Sequence, residues 1–233
     1  MPTVLPASFY ARPTLTVLDD LIGKVLAHTV GGHRTAGIIV EAEAYIGEDD
    51  PACHAAPGRT ARNAPLYGPP GRAYVYLNYG IHYLVNAVTE AEGQPAAVLI
   101  RALAPLEGLE LMRERRAVGR HGARRLGDPP VDAELCCGPG NVTVALGIDR
   151  SANTVDLTAS PLVIEDHGLA VPGLRRSARV GIRVGVERQW RCSWPGHPSV
   201  SAGGTPRAVS GSAARPATLG SRRGSRQSPP DRS

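Results

Sequence analysis

Apolar residues recur along the chain with changing period, and each period predicts an element. After Pro13 and Thr14, the residues Leu15, Leu18, Leu21, Ile22, Val25 and Leu26 follow helical spacing, which predicts an amphipathic helix running to Leu26. From Ala36 to Tyr45 the period becomes two. Ala36, Ile38, Val40, Ala42 and Ala44 share one face of a strand, and Ile39, Glu41, Glu43 and Tyr45 share the other. One face is plain core; the other carries two carboxylates and a tyrosine. Residues 73–88, AYVYLNYGIHYLVNAV, form two β-rich runs that meet at Asn78, Tyr79 and Gly80, where asparagine and glycine supply turn chemistry. This predicts a hairpin with a tyrosine at its tip. AAVLIRALAP is a further strand, followed by a helix from about Leu106 to Val118. Strands and helices mix without the regular alternation of a doubly wound fold, so the expected class is α+β: a single domain with a mainly antiparallel β-sheet flanked by helices.

Composition adds limits to this picture. With 42% apolar residues among 233, the chain can close a hydrophobic core. Its longest apolar runs, such as AAVLI at 96–100, fall far short of the roughly 20 residues a membrane span needs. No charged-then-apolar leader opens it, and a soluble, cytoplasmic protein is expected. The net charge is +5, but residues 202–233 hold six arginines against one acid, Asp231, so residues 1–201 are formally neutral. That last stretch is rich in Gly, Ser, Pro and Arg and has too few large apolar residues to offset the entropy of ordering it. The expected organisation is one domain over 1–201 and a disordered tail over 202–233. Within the domain, 41–50 is acidic, whereas 112–125 and 175–191 are basic, which suits either a basic face or solvated helix surfaces. The four cysteines, Cys53, Cys136, Cys137 and Cys192, lack C-x-x-C spacing and read as structural.

Candidate chemistry gathers in the first half of the chain. Six of the seven tyrosines lie between Tyr45 and Tyr83. Strand propensity accounts for most of them, but a large ring at a turn tip, Tyr79, has no core to fill and suits a wedge between stacked bases. Glu41 and Glu43 project from one strand face, as paired carboxylates do in enzymes that hydrolyse glycosidic bonds, although solvated strand glutamates are commoner. His54 follows across an acidic loop with glycine and proline, within reach of the same pocket. A metal set of Glu43, Asp49 and His54 lacks a recognised ligand spacing, so no metal and no cofactor is expected. CCGPGNV contains no Gly-Lys-Ser/Thr and reads as a tight turn rather than a phosphate loop.

The string VEAEAYIGEDDPACH, followed in order by GRTARN, AYVYLNYGIHYLVN, VLIRALAPLEG and LCCGPGN, resembles the alkyladenine (3-methyladenine) DNA glycosylase family of base-excision repair over about residues 7 to 201. The resemblance implies a monofunctional glycosylase that flips alkylated or deaminated purines from double-stranded DNA and hydrolyses the N-glycosidic bond. It implies Glu43 as general base, with Arg101 beside the nucleophilic water. Tyr45, His54 and Tyr76 would sandwich the flipped base, and Asn86 would crowd the exocyclic amine of guanine. Tyr79, on a protruding hairpin, would enter the minor groove, and Arg59 and Arg62 would lie near the DNA backbone. The chain is expected to act as a monomer, without a membrane.

The chain departs from the family pattern in four places. Asn141 replaces a frequent lysine, Cys192 and Ser193 stand where aromatics are usual, the stretch before them is shorter than in many members, and the tail has no family counterpart. Two rival functions follow. One is a non-catalytic DNA-damage-binding module, in which the altered C-terminal segment prevents productive closure. The other is a hydrolase of free nucleosides, which leaves Tyr79 without a role.

Overall fold

A computed structural model describes residues 1–118 and 130–201. The tail 202–233 and the last part of the basic run 112–125 lie outside the described residues. In chain order the elements are β1 (Thr3–Val4), α1 (Ala7–Tyr10), α2 (Thr14–Leu21), β2 (Val25–Val30), β3 (His33–Ile46), β4 (Ala73–Asn78) and β5 (His82–Val88). Then come β6 (Ala96–Glu107), α3 (Leu109–Ala117), α4 (Pro139–Leu146), β7 (Leu162–Asp166), β8 (Arg175–Ser177) and β9 (Arg191–Ser193). The strands form one open sheet in the order β1-β7-β2-β3-β6-β5-β4, with antiparallel pairing throughout. β2 flanks only the first part of β3. Farther along, β9 pairs with Glu41, Ala42 and Glu43, and β8 pairs with β9.

Period-two alternation divides this sheet into two working faces. Ala42 and Ala44 of β3, Val75 of β4, Val85 and Ala87 of β5, and Val98 and Ile100 of β6 point into the main core. Leu18 and Leu21 of α2, Met112 of α3, and Val142 and Leu146 of α4 fill it from the helical side. The intervening residues, Tyr45, Tyr74, Tyr76, Val88 and Ala97, meet Cys53, Ala55, Leu66 and Tyr67 of the long β3–β4 connection in a smaller cluster. Helices therefore cover one face of the sheet, and an aromatic face remains opposite.

The pairing corrects the reading of β3 as one uninterrupted alternation. Ile39 pairs with Leu103 and Glu41 with the adjacent Ala102, so Val40 has no partner on β6 and forms a bulge. The extra residue shifts the parity. Ile39 packs in the main core with Ala42 and Ala44, while Glu41 and Glu43 take the opposite face. The carbonyl of Val40 accepts the Trp194 N–H at 2.9 Å, which satisfies the interrupted ladder.

Three element boundaries also differ from expectation. The first long helix stops at Leu21, and Val25 and Leu26 pair with Ile38 and Gly37 in β2. Gly23 turns the chain there with φ of 89°, and its N–H donates to Ile39 O at 2.9 Å. The two residues satisfy helical spacing, yet they are buried in different clusters on opposite sides of a strand. β6 runs through Glu107, so α3 begins at Leu109, after Gly108 in the left-handed region. A Cβ on Gly108 would come within 2.5 Å of the Arg34 carbonyl oxygen. The Gly-Pro-Gly segment, expected as a simple turn, opens α4 with Pro139 in its first turn.

Candidate active site

β3, β4, β5 and β6 each send every second side chain to the aromatic face, and these residues surround a cavity of ≈ 260 Å³. It is lined by Tyr45, His54, Tyr74, Tyr76, Asn86, Leu99 and Arg101, and closed on one side by Val180, Gly181 and Ile182. That volume lies just below the range of about 300–1,000 Å³ typical of ligand pockets, so it suits one flat ring system. The ring centres of His54 and Tyr76 are 4.4 Å apart, and those of Tyr74 and Tyr76 are 5.1 Å apart. His54 Nδ1 lies 2.9 Å from the Tyr74 hydroxyl. Burial, with Arg62 nearby, pushes the His54 pKa below its ordinary value, which favours a neutral ring at pH 7. Asn86 is pinned from its amide nitrogen, which donates to Tyr74 O at 2.9 Å.

Beside this cavity the two strand glutamates are both fully buried, but their environments differ. Glu41 Oε1 accepts from Arg101 Nε at 2.8 Å, Arg191 Nε at 2.7 Å and Ser201 Oγ at 2.8 Å. Its Oε2 accepts the Ser201 N–H at 2.7 Å. A carboxylate oxygen offers about two lone-pair positions, so Oε1 of Glu41 is saturated and Oε2 holds a single donor. Glu43 accepts three hydrogen bonds: from the Tyr45 hydroxyl at 2.9 Å, Arg101 Nη1 at 3.3 Å and the Val180 N–H at 2.6 Å. All three donors belong to residues that line the cavity, and one acceptor position of Glu43 remains.

The charges follow the same division. Burial pushes the Glu41 pKa up, but Arg101 and hydrogen bonds from Ser201, Arg191 and Arg101 outweigh it, so Glu41 lies below the ordinary glutamate value. For Glu43 burial prevails over Arg101, the Val180 N–H and the Tyr45 hydroxyl, and its pKa is raised. Glu41 thus serves as fixed countercharge to Arg101 and Arg191, whereas Glu43 is a more basic carboxylate bonded to the residues of the cavity lining. Burial also pushes the Cys53 thiol up to about 11 and the Cys136 and Cys192 thiols up to about 12, which disfavours thiolate nucleophiles. Among the described residues, no group of three His, Cys, Asp or Glu side chains is placed to hold a metal ion.

The remaining predicted residues lie outside the base-sized part of the cavity. Tyr79 stands at the hairpin tip, 85% exposed and with φ of 47°, an uncommon backbone conformation for a bulky residue. It also borders the cavity mouth. Arg59 and Arg62 are exposed on the loop before β4. Asn63 organises that loop through bonds to the carbonyls of His54 at 2.7 Å and Gly58 at 2.9 Å, leaving the two arginines on the outside. Asn141 donates to Cys137 O at 2.6 Å and accepts from Arg116, so it braces the start of α4. Cys192 is buried in the main core, and Ser193 is buried opposite Glu41 on β9.

Sequence reading missed Tyr74, Val180 and Arg179. Tyr74 could have been found from its place beside Tyr76 on an alternating strand. Val180 contributes a backbone N–H to a carboxylate 137 positions earlier, and no residue type signals such a bond.

The model for the Methylpurine-DNA glycosylase family matches residues 8–198. A relative from Methanocella arvoryzae is 44% identical over 201 residues, spanning 85% of this chain and 96% of its own. One from Salinibacter ruber is 46% identical over 199 residues, spanning 80% and 91%. One from Burkholderia cenocepacia is 43% identical over 210 residues, spanning 88% and 94%. All three are named, provisionally, as 3-methyladenine DNA glycosylases. A match over nearly all the described residues, joined to an aromatic cavity whose lining residues bond a buried carboxylate, places this chain in the methylpurine-DNA glycosylase family of DNA N-glycosylases.

Proposed function

We propose that this enzyme removes 3-methyladenine and related purines, including 7-methylguanine, hypoxanthine and ethenoadenine, from double-stranded DNA by hydrolysing the N-glycosidic bond. A base inside the duplex is out of reach, so the nucleotide is flipped into the cavity at a cost of a few kcal/mol. Tyr45, His54 and Tyr76 stack on the base, and Tyr79 fills the gap it leaves. N-alkylated purines carry positive charge, and each cation–π interaction supplies about 0.5–2 kcal/mol, so charge itself becomes a recognition signal. Asn86 crowds the exocyclic amine of a guanine base and so slows its release, while Arg59 and Arg62 contact the backbone.

The alkylated base is already a good leaving group. Glu43 accepts the proton of the attacking water, the water oxygen bonds to the anomeric carbon, and the glycosidic electron pair departs with the base. Glu43 also stabilises the oxocarbenium-like sugar, and Arg101 orients the water. The only lysine, Lys24, is paired with Asp166 at 2.7 Å and does not line the cavity. This favours direct attack by water over an amine-linked intermediate.

The observation that carries the proposal is the unequal setting of the two carboxylates: Glu41 is bound by Arg101, Arg191 and Ser201, whereas every donor to Glu43 belongs to a residue that lines the aromatic cavity. The test is single-turnover release of 3-methyladenine from duplex DNA methylated with dimethyl sulfate. Glu43→Gln is expected to abolish release and to leave binding of the methylated duplex largely intact. Unchanged release overturns the assignment of Glu43. Binding by the wild-type protein without any release would replace the enzyme reading with a damage-binding module. Duplexes with single hypoxanthine, ethenoadenine or 7-methylguanine sites then measure the lesion range.

A further inference from the structure

Behind Tyr45, outside the lining of the cavity, lies a buried ion pair that the reaction outlined above does not use. The side chains of Arg179 and Asp50 are both wholly inaccessible to solvent. The pairing is bidentate, with Arg179 Nη1 2.5 Å from Asp50 Oδ2 and Nη2 2.8 Å from Oδ1. Asp50 also accepts the N–H groups of Ala52 at 3.2 Å and Ile46 at 3.4 Å, which tie it to the loop leaving β3.

From this anchor Arg179 reaches both sides of the candidate base. Its Nη1 donates to the carbonyl of Ala44, the residue between Glu43 and Tyr45, at 3.0 Å. Its guanidinium carbon sits 4.7 Å from the centre of the Tyr45 ring and 5.2 Å from that of Trp190. Its Nη2 donates to Gly185 O at 3.4 Å, holding the far end of the segment that closes the cavity. The next residue, Val180, gives Glu43 its shortest hydrogen bond, 2.6 Å. A buried ion pair is weak evidence for stability, because desolvation offsets much of the attraction. A planar fork that engages a carboxylate and two carbonyls while resting on two rings is well suited to fixing geometry.

We infer that Arg179 and Asp50 are a positioning pair, which holds the Glu43 carboxylate, the Tyr45 ring and the Val180 N–H in the arrangement that base release requires. The inference rests on Glu43 being the general base. It gives neither residue contact with DNA or water.

The experiment compares Arg179→Lys, Arg179→Met and the double variant Asp50→Asn/Arg179→Met with the wild-type chain. Release of 3-methyladenine from dimethyl sulfate-methylated duplex is followed under single-turnover conditions across pH, and affinity for the same duplex is measured separately. The double variant removes both charges together, so it leaves no unpaired buried ion and keeps the test open should a single variant unfold. Release is expected to fall by about 10²-fold in the Met variants, the scale of a displaced catalytic group, with affinity for DNA retained. Lys, which keeps the charge but not the fork, should recover part of the rate. Removing a cation from beside Glu43 should also move the acid limb of the rate to higher pH in Arg179→Met. The other charged and titratable groups that act on Glu43 remain in that variant: Arg101 from β6, Glu41 and Tyr45 from β3, and Tyr76 from β4, while the Val180 N–H loses its anchored neighbour. Cooperatively folded variants with wild-type release and an unmoved acid limb would overturn the inference, as would losses of rate and affinity in equal proportion. Wild-type release by Glu43→Gln would instead overturn the base assignment on which the pair depends.

Discussion

At the scale of single residues, the decisive contrast is between two glutamates two positions apart. In the sequence they are the same residue type on the same strand face, and only the family resemblance sets Glu43 apart. Four donors from β6, β9 and the segment ending at Ser201 converge on Glu41, and three from β3, β6 and the Val180 segment converge on Glu43. Burial raises the Glu43 pKa, and only its ionised form accepts a proton, so base release should decline as pH falls through that raised value. An alkylated purine owes its charge to alkylation rather than to a proton, so the decline reports the enzyme. Single-turnover release of 3-methyladenine from pH 8 downwards should show an acid limb above about pH 4.3, the value of an unperturbed glutamate. A rate that stays flat down to that value would refute the argument.

At the scale of elements, the β4–β5 hairpin and the β3 bulge carry most of the design. The hairpin was legible because its turn residues and its alternation agree: Ala73 and Val75 go to the core, Tyr74 and Tyr76 to the cavity, and Tyr79 to the tip. Exposed Tyr79 contributes little to packing, so Tyr79→Ala should leave thermal unfolding unchanged. Stacking of one base on an aromatic ring is worth about 1–3 kcal/mol, so affinity for a methylated duplex should fall roughly tenfold or more, measured by equilibrium binding. Wild-type affinity in that variant would remove the wedge role. The bulge at Val40 was not legible, since the alternation from Ala36 to Tyr45 reads continuously. It becomes visible only when β6 and Trp194 are brought alongside. The same blindness gave Val25 and Leu26 to a helix: their spacing fits both periods, and the partner strand decides.

At the scale of the whole molecule, the distribution of charge along the chain separates chemistry from general affinity for DNA. Ser201 is bound through its N–H and hydroxyl to Glu41, and all the formal net charge lies beyond it. Deleting residues 202–233, with Ser201 retained, should therefore preserve single-turnover chemistry and weaken binding to DNA at low salt. For every phosphate that the shortened chain no longer neutralises, the slope of log affinity against log salt should flatten by about 0.9. Salt titration of duplex binding by the full and shortened chains measures this, and a large drop in chemistry would show that the tail supports the fold.

The sequence by itself determined the α+β class, the hairpin and its exposed tyrosine, the long strand with its two carboxylates, and the motifs that place the chain in its family. These are local properties: they depend on residue type and on spacing within one element. Only the tertiary structure decided the parity of β3, the end of α2, the different hydrogen-bond surroundings of Glu41 and Glu43, and the buried fork of Arg179. Each depends on atoms from segments far apart in the chain. Burial and hydrogen-bond saturation are sums over those neighbours, so they acquire values only when the sheet has assembled.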